Sequence, residues 1–140
     1  MQPVTPRGFR DVLFDEARER EAVTAAIARA FSAWGYEPVE TPVAEEYRTL
    51  EAGVGGALDE TAFRFFDLDG SLLALRPEMT VPIARVVASR LADVPGPHRI
   101  RYAAPVFREH ASLRGQAREF TQVGVELIGG RLPRCRELVF

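Results

Sequence analysis

The residues whose types and spacing could do chemistry gather in one stretch, residues 98–129, HRIRYAAPVFREHASLRGQAREFTQVGVELIG. Alternation of period two runs on both sides of ASLRGQA, so the stretch reads as two strands joined by a polar, glycine-containing loop. In the second strand Phe120, Gln122, Gly124, Glu126 and Ile128 share one face, and Thr121, Val123, Val125 and Leu127 share the other, which is expected to be core. On the first face Gln122 and Glu126 flank a glycine, a pattern that predicts a polar-walled gap able to hold a small ligand. In the first strand Ile100, Tyr102, Ala104, Val106 and Arg108 fall in one row, so Arg108 is expected to face the same gap. An arginine forks onto a carboxylate, and a glutamate accepts an ammonium or imidazole N–H. Together they could hold both ends of an amino acid.

A second cluster stands upstream in LRPEMT, where Arg76 and Glu78 precede a helix predicted to start near Thr80 and to bury Ile83, Val87 and Leu91. Thr80 is a suitable N-cap, and Pro82 is tolerated in the first turn. Glu78 has two readings. It could simply complement the positive helix end, or, with the threonine hydroxyl, bind an amino group.

The elements that must position these residues follow from patterning. Residues 1–14, with the turn PRGFRD, form an irregular lead-in. Asp15 is a plausible N-cap for a helix over residues 16–34, in which Val23, Ile27, Ala30, Phe31 and Trp34 recur at helical spacing; Phe31 and Trp34 are expected in the core, and Gly35 suits the position after the helix. YEPVETPV predicts an edge strand. Over residues 45–58 a short helix should lead into a flexible loop bearing Gly53, Gly55 and Gly56, which lacks the Lys and Ser/Thr of a phosphate-binding loop. FRFFDLDGSLLAL predicts a hairpin around Asp69-Gly70. The fold class is α+β: a largely antiparallel sheet with helices packed on one side.

With 140 residues, the chain has room for one cored domain. A hydrophobic content of 46% and a charged content of 27% are those of a soluble protein, and the net charge of −2 provides no global basic field for a polyanion. Cys135 is the one cysteine, and no Cys/His cluster has zinc spacing, so no metal is expected and a reducing cytoplasm is. No apolar run approaches a membrane span and the N-terminus lacks a signal-peptide pattern.

The order R-x-Y-x-x-x-V-F-R, a loop with Gly, then R-E-F-x-Q-x-G-x-E-x-x-G resembles motif 2 of class II aminoacyl-tRNA synthetases in its histidyl form. It equally resembles a paralogous family, the regulatory subunits of ATP phosphoribosyltransferase. The likeness runs from PRGFRD to ELIG, and W-G-Y-x-x-V-x-T-P belongs to it. It implies a class II synthetase-like antiparallel sheet flanked by helices, here incomplete, with residues 1–140 as the N-terminal part of a catalytic-type domain. The fading of pattern in GRLPRCRELVF is expected to mark a truncation or frameshift just after motif 2.

By this resemblance Glu78, Thr80 and Gln122 hold the ammonium of histidine, Glu126 lies in the same pocket, and Arg108 bridges the substrate carboxylate and the α-phosphate of ATP. The nucleotide half departs from the synthetase pattern. His110 replaces the glutamate that meets adenine, Gln116 replaces an arginine, and Met79 replaces a glycine; His110, Gln116, Arg118 and Phe120 are read as remnants of a nucleotide site. The favoured expectation is therefore a regulatory, non-catalytic subunit without cofactor. It would sense histidine, partner the short catalytic subunit in the first step of histidine biosynthesis, and form a homodimer, through residues 34–43, within a hetero-oligomer. The alternative is an N-terminal piece of histidine–tRNA ligase, which would use ATP, Mg²⁺ and tRNA. A third possibility is a remnant that folds or dimerises without a ligand.

Overall fold

A computed structural model describes residues 4–109 and 116–129. Two small sheets organise these residues. The first has the order β1-β5-β6, with β1 (Glu37–Pro38) parallel to β5 (His98–Phe107) and β5 antiparallel to β6 (Glu119–Ile128). The second, in the order β2-β4-β3, is wholly antiparallel and comprises β2 (Ala44–Glu46), β3 (Arg64–Phe66) and β4 (Leu72–Leu75). The hairpin at Asp69-Gly70 forms as patterned: the Asp67 N–H donates to Ser71 O at 2.9 Å, Gly70 takes φ 86°, and the Ser71 N–H donates to Asp69 Oδ1 at 2.8 Å. That last bond, the largest contributor, draws the Asp69 carboxyl below the ordinary range.

Helix α1 (Phe14–Ala33) begins without a side-chain cap, so the capping role expected of Asp15 is not taken up. Its end follows the predicted glycine logic. Gly35 adopts φ 78°, its N–H donates to Ser32 O and that of Tyr36 to Phe31 O, and the Phe31 and Tyr36 rings meet at 6.4 Å across the closing turn. Trp34, expected in the core, is 76% exposed. It sits at the cap, where the helical period no longer aims a side chain at the sheet. Phe31 is only half-buried, and no residue of α1 is fully buried. The strand predicted from YEPVETPV shortens to Glu37–Pro38.

The glycine cluster is not a flexible loop. Gly53 lies within α2 (Tyr47–Val54), and Gly55 opens a 3₁₀ turn, Gly55–Ala57, that leads into α3 (Leu58–Thr61). A Cβ on Gly53 would fall 2.2 Å from Val81 Cγ2, so glycine here permits the close approach of α2 to α4 (Thr80–Arg90). Tyr47, Leu50, Leu58, Ala62 and Ala74 make one core cluster. A second cluster unites Met79 and Ile83 at the start of α4 with Ile100, Tyr102 and Val106 of β5, and Val87, Leu91, Phe120 and Ile128 pack against it.

This second cluster corrects the expected facing of β6. The deepest burial lies on the Phe120/Ile128 side, the same side as Gln122 and Glu126. The Val123 side is only half-buried and looks toward α1 across a groove of about 850 Å³. Helices thus cover both faces of the β5–β6 ribbon rather than one, because the apolar row of β5 supplies the face that β6 lacks.

Arg76 joins the two sheets. Its guanidinium, 2% exposed, donates to Pro105 O at 2.8 Å, Thr41 O at 2.7 Å, Thr41 Oγ1 at 3.0 Å and Pro42 O at 3.1 Å. Desolvation lowers its pKa, opposed by the nearby Glu45 carboxylate. Buried Glu45 is itself gripped by both Nε and Nη2 of Arg85 at 2.7 Å, a fork that fastens β2 to α4.

Candidate functional site

The site forms where α4 begins beneath the middle of β6. The Glu78 carboxylate accepts the backbone N–H of Thr80 at 2.6 Å and that of Val81 at 2.9 Å, so it satisfies two donors that a helix start leaves unpaired. Glu78, not Thr80, caps α4; the position preceding the helix is Met79. Released from capping, the Thr80 hydroxyl donates to Glu126 Oε1 at 2.8 Å. Tyr102 Oη reaches the same oxygen at 3.4 Å, a long contact. Burial first, then the charges of Glu126 and Glu78, push the Tyr102 phenol up to about 12. It therefore remains a protonated donor at neutral pH.

The strand register explains how a turn, a helix start and two strands converge. Tyr102 stands opposite Gly124, Ile100 opposite Glu126 and Ala104 opposite Gln122. A Cβ on Gly124 would lie 2.5 Å from Tyr102 Oη and 2.7 Å from Cζ. The gap expected over Gly124 is thus filled by the tyrosine ring, and the polar walls flank that ring instead. Gln122 and Glu126 are four positions apart, roughly 13 Å of strand, enough for an amino acid lying across Tyr102. Gln122 Oε1 is buried and has no hydrogen-bond partner among the described residues. Such an acceptor carries a desolvation penalty until a donor arrives.

Arg108 follows the end of β5. Its Nε donates to Pro77 O at 2.8 Å, and its guanidinium lies 5.1 Å from the centroid of the Phe120 ring. The carbonyl it holds belongs to the residue before Glu78, so Arg108 enters the same junction as the two glutamates. Glu78, Thr80 and Glu126 are thereby linked directly through Thr80, and Arg108 is tied in through Pro77.

The positions read as nucleotide remnants behave differently. His110 lies outside the described residues. Gln116 is exposed and lines the groove facing α1, on the far side of β6 from the Glu126 carboxylate. Phe120 packs into the core cluster and supports Arg108. Arg118 is enclosed: its guanidinium lies 4.4 Å from the Phe63 centroid and 5.5 Å from that of Phe9, donates to Arg7 O at 3.0 Å, and pairs through Nη2 with the Glu109 carboxylate. The two rings meet edge to face at 5.9 Å, and the backbone around Arg118 is fixed as well. Its N–H donates to Gly8 O at 2.8 Å, and its O accepts the Arg108 N–H at 2.9 Å.

Sequence reasoning missed Tyr102, Glu109, Phe9 and Phe63 as members of these two constellations. The sole signal for Tyr102 was its position in the row that ends at Arg108, and its meaning depends on the pairing register. Phe9, Phe63 and Arg118 are too far apart in the chain for any local pattern to join them. Among the described residues, no group of three or more His, Cys, Asp or Glu side chains could hold a metal ion, and no helix is long and apolar enough to cross a membrane.

The chain is similar to several known proteins. Residues 8–134 match the family model described as histidyl-tRNA synthetase. The ATP phosphoribosyltransferase regulatory subunit of Symbiobacterium thermophilum is 46% identical over 132 residues, covering 91% of this chain and 33% of its own length. That of Halothermothrix orenii is 42% identical over 129 residues, covering 92% and 31%. Among solved structures, an ATP phosphoribosyltransferase regulatory subunit/histidyl-tRNA synthetase from Bacillus halodurans superposes with a TM-score of 0.81 at 38% identity, over 93% of this chain and 34% of the other. Histidyl-tRNA synthetase from S. aureus superposes with a TM-score of 0.77 at 25% identity, over 94% and 30%. The chain spans about a third of the length of these relatives. With a family model matched over nearly all its residues and 93% of the chain aligned on a solved structure at a TM-score of 0.81, the chain belongs to the histidyl-tRNA synthetase family, with its class II synthetase-like α+β fold.

Proposed function

We propose that the chain is the N-terminal part of a regulatory, non-catalytic subunit of ATP phosphoribosyltransferase, acting at the first step of histidine biosynthesis and sensing histidine. The observation that carries the reading is Gln122 Oε1, a buried acceptor with no partner among the described residues, on the strand face that also bears Glu126. Acceptors suited to an amino acid remain, while an arginine suited to phosphate is engaged by two rings and a carboxylate. In this reading the ammonium of histidine meets Gln122 Oε1, Glu78 and Thr80, its carboxylate meets Arg108, and its ring N–H meets Glu126. The partner is the short catalytic subunit. Histidine that favours one state of the assembly must bind that state more tightly, and the assembly must shift histidine affinity by the same factor. A homodimer through residues 34–43 within the hetero-oligomer is supported by Trp34, which presents 76% of its surface beside the short β1. The compartment in this reading is the cytoplasm, and neither ATP nor Mg²⁺ is needed as a cofactor.

Histidine–tRNA ligase is the second reading, favoured by the family model and by the S. aureus superposition. ATP–pyrophosphate exchange with histidine separates the two. The regulatory reading expects histidine binding by calorimetry with no exchange; exchange at the level of a synthetase would overturn it. Absence of histidine binding by a folded chain would favour a remnant without a ligand.

A further inference from the structure

We infer that Tyr102 and Gly124 form a positioning unit for Glu126, steering its carboxylate so that one oxygen is presented to a ring N–H of the ligand. This deepens the histidine reading and rests on it. Gly124 has no unusual φ, so its backbone conformation does not call for glycine. Space does: any Cβ would collide with the Tyr102 hydroxyl and ring. The ring is 7% exposed and packs in the cluster with Met79, Ile83 and Val106, so it has no room to swing aside.

Laid across Gly124, the phenol ends beside Glu126 Oε1, the oxygen that already accepts the Thr80 hydroxyl. Both donors thus converge on one carboxylate oxygen. Glu126 Oε2 makes no hydrogen bond among the described residues, and this is the oxygen the unit aims at the ligand. Glu126 is held from two sides by groups on different elements, β5 and α4, and a carboxylate so fixed discriminates by geometry as well as charge. Tyr102 is therefore a positioning residue: it acts on the ligand through Glu126. The chemical class selected is an amino acid whose side chain ends in an N–H donor heterocycle, and a ligand without that donor would cover the carboxylate oxygen without pairing it.

Two measurements test this on the full chain. In the first, wild type, Y102F and G124A are titrated with histidine and with the two ring N-methylated histidines. Wild type is expected to reject the isomer methylated at the nitrogen read by Glu126, and Y102F is expected to shrink that preference by about fivefold, the worth of one hydrogen bond. G124A should shrink it too, by displacing the ring. An unchanged preference in both variants, with cooperative unfolding retained, would overturn the inference.

The second needs no ligand: unfolding midpoints of Y102F, E126Q and the double variant are compared. Tyr102 that holds Glu126 gives non-additive shifts, and additive shifts would contradict the inference. Non-additive shifts in a chain that binds no histidine would refute the histidine reading alone and leave the Tyr102–Glu126 unit standing.

Discussion

Two arginines, Arg108 and Arg118, leave the β5–β6 ribbon close together, and their surroundings differ in kind. Arg108 leans on Phe120 and gives one N–H to Pro77, within a junction that contains two carboxylates and the buried, partnerless Gln122 Oε1. Arg118 lies against two aromatic rings, pairs with Glu109 and donates to the lead-in at Arg7. The first region keeps polar groups whose needs the chain does not meet. The second engages both terminal nitrogens of Arg118, leaves its buried Nε without a partner among the described residues, and fastens residues 6–9 to the end of the β5–β6 ribbon. Along one ribbon, then, one arginine reaches the junction that we propose holds an amino acid, and its neighbour is tied into the lead-in and the Phe9–Phe63 pair.

The largest expected break falls on the first region. Glu126→Ala or Arg108→Ala should weaken histidine binding by about 2–5 kcal/mol, because truncation leaves a charged partner of the ligand unpaired. Calorimetric titration reads this directly, on variants that still unfold in one cooperative transition.

Arg118→Ala should reverse the pattern. Losing charge-assisted hydrogen bonds and two ring contacts is expected to cost about 2–4 kcal/mol of stability, measured by denaturant unfolding, with histidine affinity retained. Weakened binding without a stability loss would erase the distinction between the two arginines.

A control at neither region sharpens the comparison. Gly53→Ala places a methyl group 2.2 Å from Val81 Cγ2 and should cost about 1–3 kcal/mol through overpacking. Binding should persist, since α4 remains anchored at its start by Glu78 and along its length by the Arg85–Glu45 fork.

The smallest effect is a pH dependence. The folded state raises the Tyr102 phenol from its ordinary 10.0 to about 12, so the folded chain holds this proton more tightly than the unfolded one. Its contribution to stability is complete below pH 10 and declines as pH rises toward 12. Comparing denaturant midpoints of wild type and Y102F across that window should show a shallower decline in the variant.

Much of this was legible in the sequence. Alternation in residues 98–129 located both long strands, Asp69-Gly70 located the hairpin, and Gly35 located the end of α1. Convergence of Glu78, Thr80 and Glu126 was legible too, since each lies at the end or along one face of a patterned element. Physical facts that depend on tertiary partners were not. Alternation divides a strand into two faces but does not say which one its neighbours bury, so the core side of β6 was misassigned. A glycine marks missing volume without saying what occupies it, and at Gly124 the occupant is Tyr102. Trp34 has the residue type of a core member but falls where α1 has already turned away.

The central claim is that amino-acid recognition persists here without nucleotide recognition. Calorimetric titration of the full chain with histidine, in the presence and absence of ATP and Mg²⁺, tests it most directly. The account predicts a saturable isotherm that ATP leaves unchanged; no heat of binding, or binding that appears only with ATP, would contradict it.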